Sequence, residues 1–111
     1  MKIITKAIEN AFKKQGDTSN KSANEIKIVL KLFNPTGAGT WYLYEKLDDD
    51  IYMCFANLGD RDMAECGTVS MSELMAYRGM FGLGIERDSS FEPLSMTLDS
   101  VVRKIQSGGH V

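Results

Sequence analysis

The twelve residues from Leu32 to Leu43, LFNPTGAGTWYL, end one apolar run, turn, and start another. Proline sets φ, glycine admits positive φ, and asparagine bonds its own backbone, so each turn residue acts for a separate reason. The segment therefore predicts a hairpin, and with it an antiparallel sheet. It supplies no nucleophile, no metal ligands and no complete phosphate loop.

The surrounding segments extend this sheet. Ile26, Ile28, Leu30 and Leu32 alternate with Lys27, Val29, Lys31 and Phe33, which predicts one strand over 26–33. Its partner runs from Thr40 to about Leu47, with Trp41, Leu43 and Glu45 on one face and Tyr42, Tyr44 and Lys46 on the other. Asp48 to Asp50 reads as a solvated acidic turn before a third strand, Ile51 to Asn57. After a turn over 58–62, Met63 to Val69 is a fourth strand with Gly67 as a candidate bulge. Leu83 and Ile85, set between glycines, predict a further short strand.

Helical spacing appears three times. Ile4, Ala7, Ile8, Ala11 and Phe12 form an apolar stripe over residues 2–14, and the polar stretch Gln15 to Asn24 then serves as a connector. Ser70 to Glu73 fits a capping box, so a short helix follows and stops near Arg78-Gly79. Leu98, Val101, Val102 and Ile105 predict a closing helix over 97–106, capped by Ser95 or Thr97. The expected architecture is α+β: an antiparallel meander of about four or five strands with an N-terminal, a short middle and a C-terminal helix, in one domain over 1–111.

Composition excludes several classes. With 13 basic and 15 acidic residues among 111, the chain lacks the basic surplus of a phosphate-binding surface, so nucleic acid is not an expected partner. No apolar run reaches membrane-span length and the charged start is not a signal peptide, so the expectation is a cytoplasmic chain with no membrane partner. Cys54 and Cys66 lack CxxC spacing and read as two buried thiols, and with His110 the sole histidine no metal site assembles. No cofactor is implied.

Three constellations could carry chemistry. Gly37 to Gly39 lacks the rest of a phosphate-binding motif. Asp48 to Asp50 lacks the remaining ligands of a calcium loop. Glu86-Arg87-Asp88 is the most informative, because alternation sends Arg87 to the face of Leu83 and Ile85, suited to a part-buried ion pair or to a partner's carboxylate or phosphate. Glu86 and Asp88 as a hydrolytic pair lack a nucleophile or histidine base nearby. The aromatics, Trp41, Tyr42 and Tyr44 foremost, exceed what a small core needs and could face a partner.

Three blocks, KLFNPTGAGTWYL (31–43), VSMSEL (69–74) and RGMFGLGIERDSSFEP (78–93), together resemble domain-of-unknown-function family 2958, small proteins of bacteria, plasmids, integrated elements and phages. The resemblance covers about residues 26–95, and departs at Tyr44 and across 60–66. It implies a genetic setting and transfers no catalytic residue. The expected function is thus a non-enzymatic protein-interaction module of a mobile element or phage, extending to inhibition of a host defence system, with Trp41, Tyr42, Tyr44, Glu86, Arg87 and Asp88 at the partner surface. The alternative is a small-molecule or nucleotide-binding domain using the glycine-rich segments and Arg87. Association of like copies stays open.

Overall fold

The structure is a computed structural model that describes residues 3–60 and 64–109. Helix α1 (Lys6–Gln15) is followed by strands β1 (Leu30–Phe33), β2 (Thr40–Lys46), β3 (Ile51–Asn57) and β4 (Glu65–Ser70). Helix α2 (Met71–Ala76), the two-residue strand β5 (Glu86–Arg87) and helix α3 (Leu98–Gln106) complete it. The sheet is antiparallel with order β4-β3-β2-β1-β5, so the α+β class and the three helices are as the sequence predicts. The expected start of the fourth strand at Met63, the turn residues Arg61 and Asp62, and His110 lie outside the described residues.

Each face of the sheet has its own core. Ile8, Ala11 and Phe12 of α1 pack on Leu30, Leu32, Leu43, Tyr52 and Cys54. Val101 and Ile105 of α3 pack on Ile26, Ile28, Tyr42, Tyr44 and Phe55. Local chemistry fixes the helix ends. Thr5 Oγ1 accepts from Ile8 N at 3.2 Å, and Thr97 Oγ1 accepts from Ser100 N at 3.1 Å, so Thr97 rather than Ser95 is the α3 cap. The hairpin loop is closed by Asn34 N donating to Gly39 O at 3.0 Å, with Asn34 Oδ1 accepting from Thr36 N at 3.1 Å.

Four departures from the expected strands share one cause, competition for backbone hydrogen bonds. Within 26–33 the strand that pairs with β2 is Leu30–Phe33, with Val29 N adding a bond to Leu43 O at 2.8 Å. Ile26 and Ile28 bond instead to the stretch before α3, with Ile28 N to Met96 O at 2.8 Å and Leu98 N to Ile26 O at 2.7 Å. The bulge sits at Tyr44, between Leu43↔Cys54 and Glu45↔Met53, whereas the β3–β4 register runs unbroken through Gly67. A bulge inserts one residue and so inverts the alternation beyond it. Glu45 therefore lies opposite Met53, on the α3 side with Tyr42 and Tyr44, rather than with Trp41 and Leu43. Finally, Met80–Gly82 forms a 3-10 turn, leaving only Glu86–Arg87 to pair with β1.

The connector after α1 is more than a link. Gln15 is buried, and its side-chain amide accepts from Lys27 N at 2.9 Å while donating to Lys27 O at 2.6 Å and to Tyr44 O. Thr18 adds hydrogen bonds from N (3.1 Å) and Oγ1 (2.6 Å) to Glu45 Oε1. The acidic turn is solvated as expected, with Asp48 and Asp49 exposed, and its carboxylates also bond the backbone. Asp48 Oδ1 accepts from Asp50 N (2.8 Å) and Ile51 N (2.7 Å), which shapes the β2–β3 turn. Asp50 reaches across to the start of α2, accepting from Ser72 N at 2.7 Å and from the hydroxyls of Ser70 and Ser72. Ser70 Oγ accepts from Glu73 N at 3.3 Å as the capping box requires, and it is Asp50 that supplies the carboxylate there.

Gln15→Leu would strand buried backbone groups at Lys27 and Tyr44, and is expected to lower unfolding stability by about 3 kcal/mol, read from urea midpoints; a loss under about 1 kcal/mol would show the bonds to be dispensable. The Asp50 carboxyl is held below its ordinary range first by the Ser70 hydroxyl, then by the Ser72 amide and hydroxyl. Its stabilising contribution is thus complete above the unfolded carboxylate value, near about pH 4, and fades as pH falls through the lower folded value. Asp50→Asn should lower Tm at neutral pH, and the gap to the parent chain should close on acidification. A gap independent of pH would contradict this.

Candidate functional site

The six residues that the sequence singles out separate into three environments. Tyr42 and Tyr44 are 2 % and 4 % exposed, within the α3-side core. They cannot present a face to a partner in this fold. Burial raises the Tyr42 phenol to about 12, with the Asp88 charge adding to it. Burial likewise pushes Tyr44 well above its usual range, with Cys66 the next influence. The alternation reading failed here because it shows which residues share a face, not which face a helix later covers.

Trp41 stays accessible on the opposite face, half-covered by the α1-side core. Its indole lies over Gly39, where a Cβ would approach the ring to 2.8 Å, and Gly39 has φ +127°, a region costly for any other residue. The glycine of the hairpin thus seats the tryptophan. From there Trp41 lines two neighbouring cavities. One, of about 440 Å³, runs along β4 past Ala56, Leu58 and Val69. The other, of about 420 Å³, continues past Leu58, Leu74, Tyr77 and Ile85.

Arg87 stands opposite Leu32, which stands opposite Trp41, so the first and third of the family-like blocks meet in one cross-strand row on the α1 side. Two strand spacings put their backbones about 10 Å apart. Their side chains nevertheless serve different cavities. Arg87 lines a smaller one of about 230 Å³ with Ile8, Val29, Asp88, Phe91 and Pro93. The expected ion pair belongs instead to Lys31 and Asp88, 3.1 Å apart. Asp88 is held below the usual carboxylate range by the Ser90 hydroxyl first, with burial opposing and Lys31 assisting. Arg87 Nε is buried and meets no protein acceptor. Glu86 lines yet another cavity, with Arg78, Gly82 and Gly84. Glu86 and Asp88 are thereby separated, and the glycine-rich segments do not converge on Arg87.

Cys54 is buried, and burial lifts its thiol to about 12; Cys66 is exposed rather than buried, and both are free. Among the described residues no three His, Cys, Asp or Glu side chains gather as a metal site. No helix among them is long and apolar enough to cross a membrane.

The sequence reading underweighted Phe81. It is 87 % exposed with φ 61°, and near it in the chain Tyr77 (43 %) and Met80 (63 %) are exposed too. The signal was a bulky pair, Met80-Phe81, set between Gly79 and Gly82 without any periodicity to bury it.

An orphaned guanidinium nitrogen weakens a fold, so Arg87→Met, which keeps the stem and removes the unmet donor, should leave Tm unchanged or raise it. A fall equivalent to more than about 1 kcal/mol would assign Arg87 to the fold instead.

No curated protein and no solved structure matches the chain. The family described as "Protein of unknown function (DUF2958)" matches residues 3–111, which extends the likeness through α1 and α3, beyond the 26–95 block that carried the resemblance. The chain belongs to the DUF2958 family.

Proposed function

We propose that this chain is a non-enzymatic protein-interaction module whose partner contacts the surface around Phe81 and the Trp41–Leu58–Tyr77 cavities. Phe81 carries the reading. A left-handed backbone costs a non-glycine residue roughly 1–2 kcal/mol, and an exposed phenyl ring gains nothing from burial. Leu94 has a similar φ of 66°, but its N–H bonds Ile28 O at 2.8 Å and its side chain packs on the α1-side core. Phe81 receives neither compensation from the fold. Adjacent apolar exposure at Tyr77 and Met80 makes this a local cluster rather than a stray side chain. The genetic setting that the family resemblance implies makes a host or element-encoded protein the natural partner, including a component of a host defence system. Among the described residues no nucleophile, base and oxyanion donor converge in the way catalysis requires.

A second reading, binding of a small anionic ligand or nucleotide, draws on the buried, unmet Arg87 Nε beside its 230 Å³ cavity. It predicts a rise in Tm with nucleotides or signalling nucleotides that Arg87→Met abolishes. A flat screen removes it.

The principal reading is tested with Phe81→Gly, which relieves the backbone while deleting the ring. The variant should be as stable as the parent or more stable by about 1 kcal/mol. When both chains are used to capture proteins from a bacterial host lysate, at least one protein should be recovered about tenfold less with the variant, as loss of a central aromatic contact implies. Equal recovery of every captured protein with Phe81→Gly and with Trp41→Ala would overturn the site.

A further inference from the structure

We infer that β4 is a docking edge for an extended segment of a partner protein, which adds as a sixth strand and places a bulky apolar side chain over Gly67. The inference rests on the interaction-module reading and names the mode of contact. β4 is one outer strand of the sheet, and Glu65 to Thr68 are all exposed. Its hydrogen-bond phase follows from one contact. Met71 N donates to Asp50 O at 2.9 Å, immediately beyond the pair Ile51↔Ser70, which makes that pair a non-hydrogen-bonded one. Bonded pairs then alternate with it: Val69, Gly67 and Glu65 point their backbone groups at β3. The N–H and C=O groups of Cys66 and Thr68 point outward, and among the described residues neither makes a backbone bond outside the ladder.

Such an edge is usually guarded by proline, lysine, a bulge or a covering element. β4 reads ECGTVS, keeps its register throughout and, among the described residues, carries none of these, its one charge being Glu65 at the start. Gly67 adds a notch. It lies opposite Cys54 on the α1 side, and a Cβ built on it meets nothing within 4 Å. A residue paired with Gly67 from an added strand would project its side chain on that same side, into the 440 Å³ cavity lined by Trp41, Ala56 and Leu58. Main-chain bonds to Cys66 and Thr68 would supply affinity, and the notch would select the side chain.

Charge decides between occupants. Glu65, exposed at the start of this edge, lines the cavity and is acidic. A second copy added through β4 in a register centred on Gly67 would set notch against notch, leave the cavity unfilled and bring no cation to Glu65, since β4 carries none. A partner segment with an apolar residue at its centre and lysine or arginine at its ends meets both features.

The probe is a synthetic seven-residue peptide of alternating apolar and polar residues, with phenylalanine at its centre and lysine at both ends. Trp41, the only tryptophan, reports occupancy by its fluorescence. The peptide should produce a saturable change in emission, and its backbone N-methylated form should produce none. Thr68→Pro removes an outward donor without touching the β3 ladder, and edge strands tolerate such a proline. It should weaken binding about tenfold. Gly67→Leu fills the notch without a clash and should weaken binding to a similar degree, which keeps the inference testable if the proline variant does not fold. No emission change at millimolar peptide, or undiminished binding by both variants and by the N-methylated peptide, would overturn it. So would a dimer in sedimentation that Thr68→Pro dissolves, since the occupant would then be a second copy. If the peptide fails while Phe81-dependent capture persists, strand addition falls and the interaction reading stands; the reverse outcome separates them the other way.

Discussion

At the point where the chain passes from one side of the sheet to the other, a glutamine side chain does what a neighbouring strand would otherwise do. Lys27 lies beyond the end of β1, and its N–H and C=O both pair with the Gln15 amide. The same amide donates to Tyr44 O, at the bulge that shifts the register of β2 against β3. A bulge leaves a backbone group out of the ladder, and a buried one left unmet is costly. Gln15 meets it from the last residue of α1. The helix on one face, the bulge in the sheet and the extended stretch that leads into β1 are thus tied by a single planar group. Move the bulge, and Glu45 would lose both its alignment with Met53 and its bonds from Thr18.

This dependence explains how much was legible in the sequence. Elements whose signals are local could be read directly: the Asn-Pro-Gly turn, the Ser70 cap of α2, and the amphipathic stripes of α1 and α3. What could not be read is what non-local bonds decide. Nothing about Gln15 in its polar surroundings marks it as a buried hub, because that role exists only once Lys27 and Tyr44 are brought beside it. Glycine at 67 suggested a bulge on composition, yet the actual bulge falls at a tyrosine, where the Gln15 amide can satisfy the displaced carbonyl. Asp50 reads as an acidic loop residue until α2 starts beside it.

The candidate surface shows the same division. Trp41, Tyr42 and Tyr44 are consecutive or nearly so, and alternation placed Trp41 opposite the two tyrosines. Only the packing of α3 tells which side is dry. Once Val101 and Ile105 cover Tyr42 and Tyr44, Trp41 remains as the aromatic with an open side, seated by Gly39. Arg87 keeps its place in the row through Leu32 but loses the ion pair to Lys31, whose own partner, Asp88, lies one residue further along. The blocks 31–43 and 78–93 therefore share a row of the sheet rather than a pocket.

Where the fold satisfies its groups closely and where it does not is itself informative. Around Gln15, Asp50 and the helix caps, polar atoms find partners and apolar ones are covered. Among the described residues three places stand apart from these: the strained, uncovered ring of Phe81, the unmet Nε of Arg87, and the open backbone of β4 with the notch at Gly67. A chain able to place a buried amide against three backbone groups is not short of means to tidy an edge or replace a phenylalanine in a left-handed turn. Each exception costs stability in isolation, and each would be relieved by contact with a second molecule. Two of the three concern apolar surface and open backbone rather than charge, and open backbone is the chemistry that an extended protein segment pairs with and a metal ion does not.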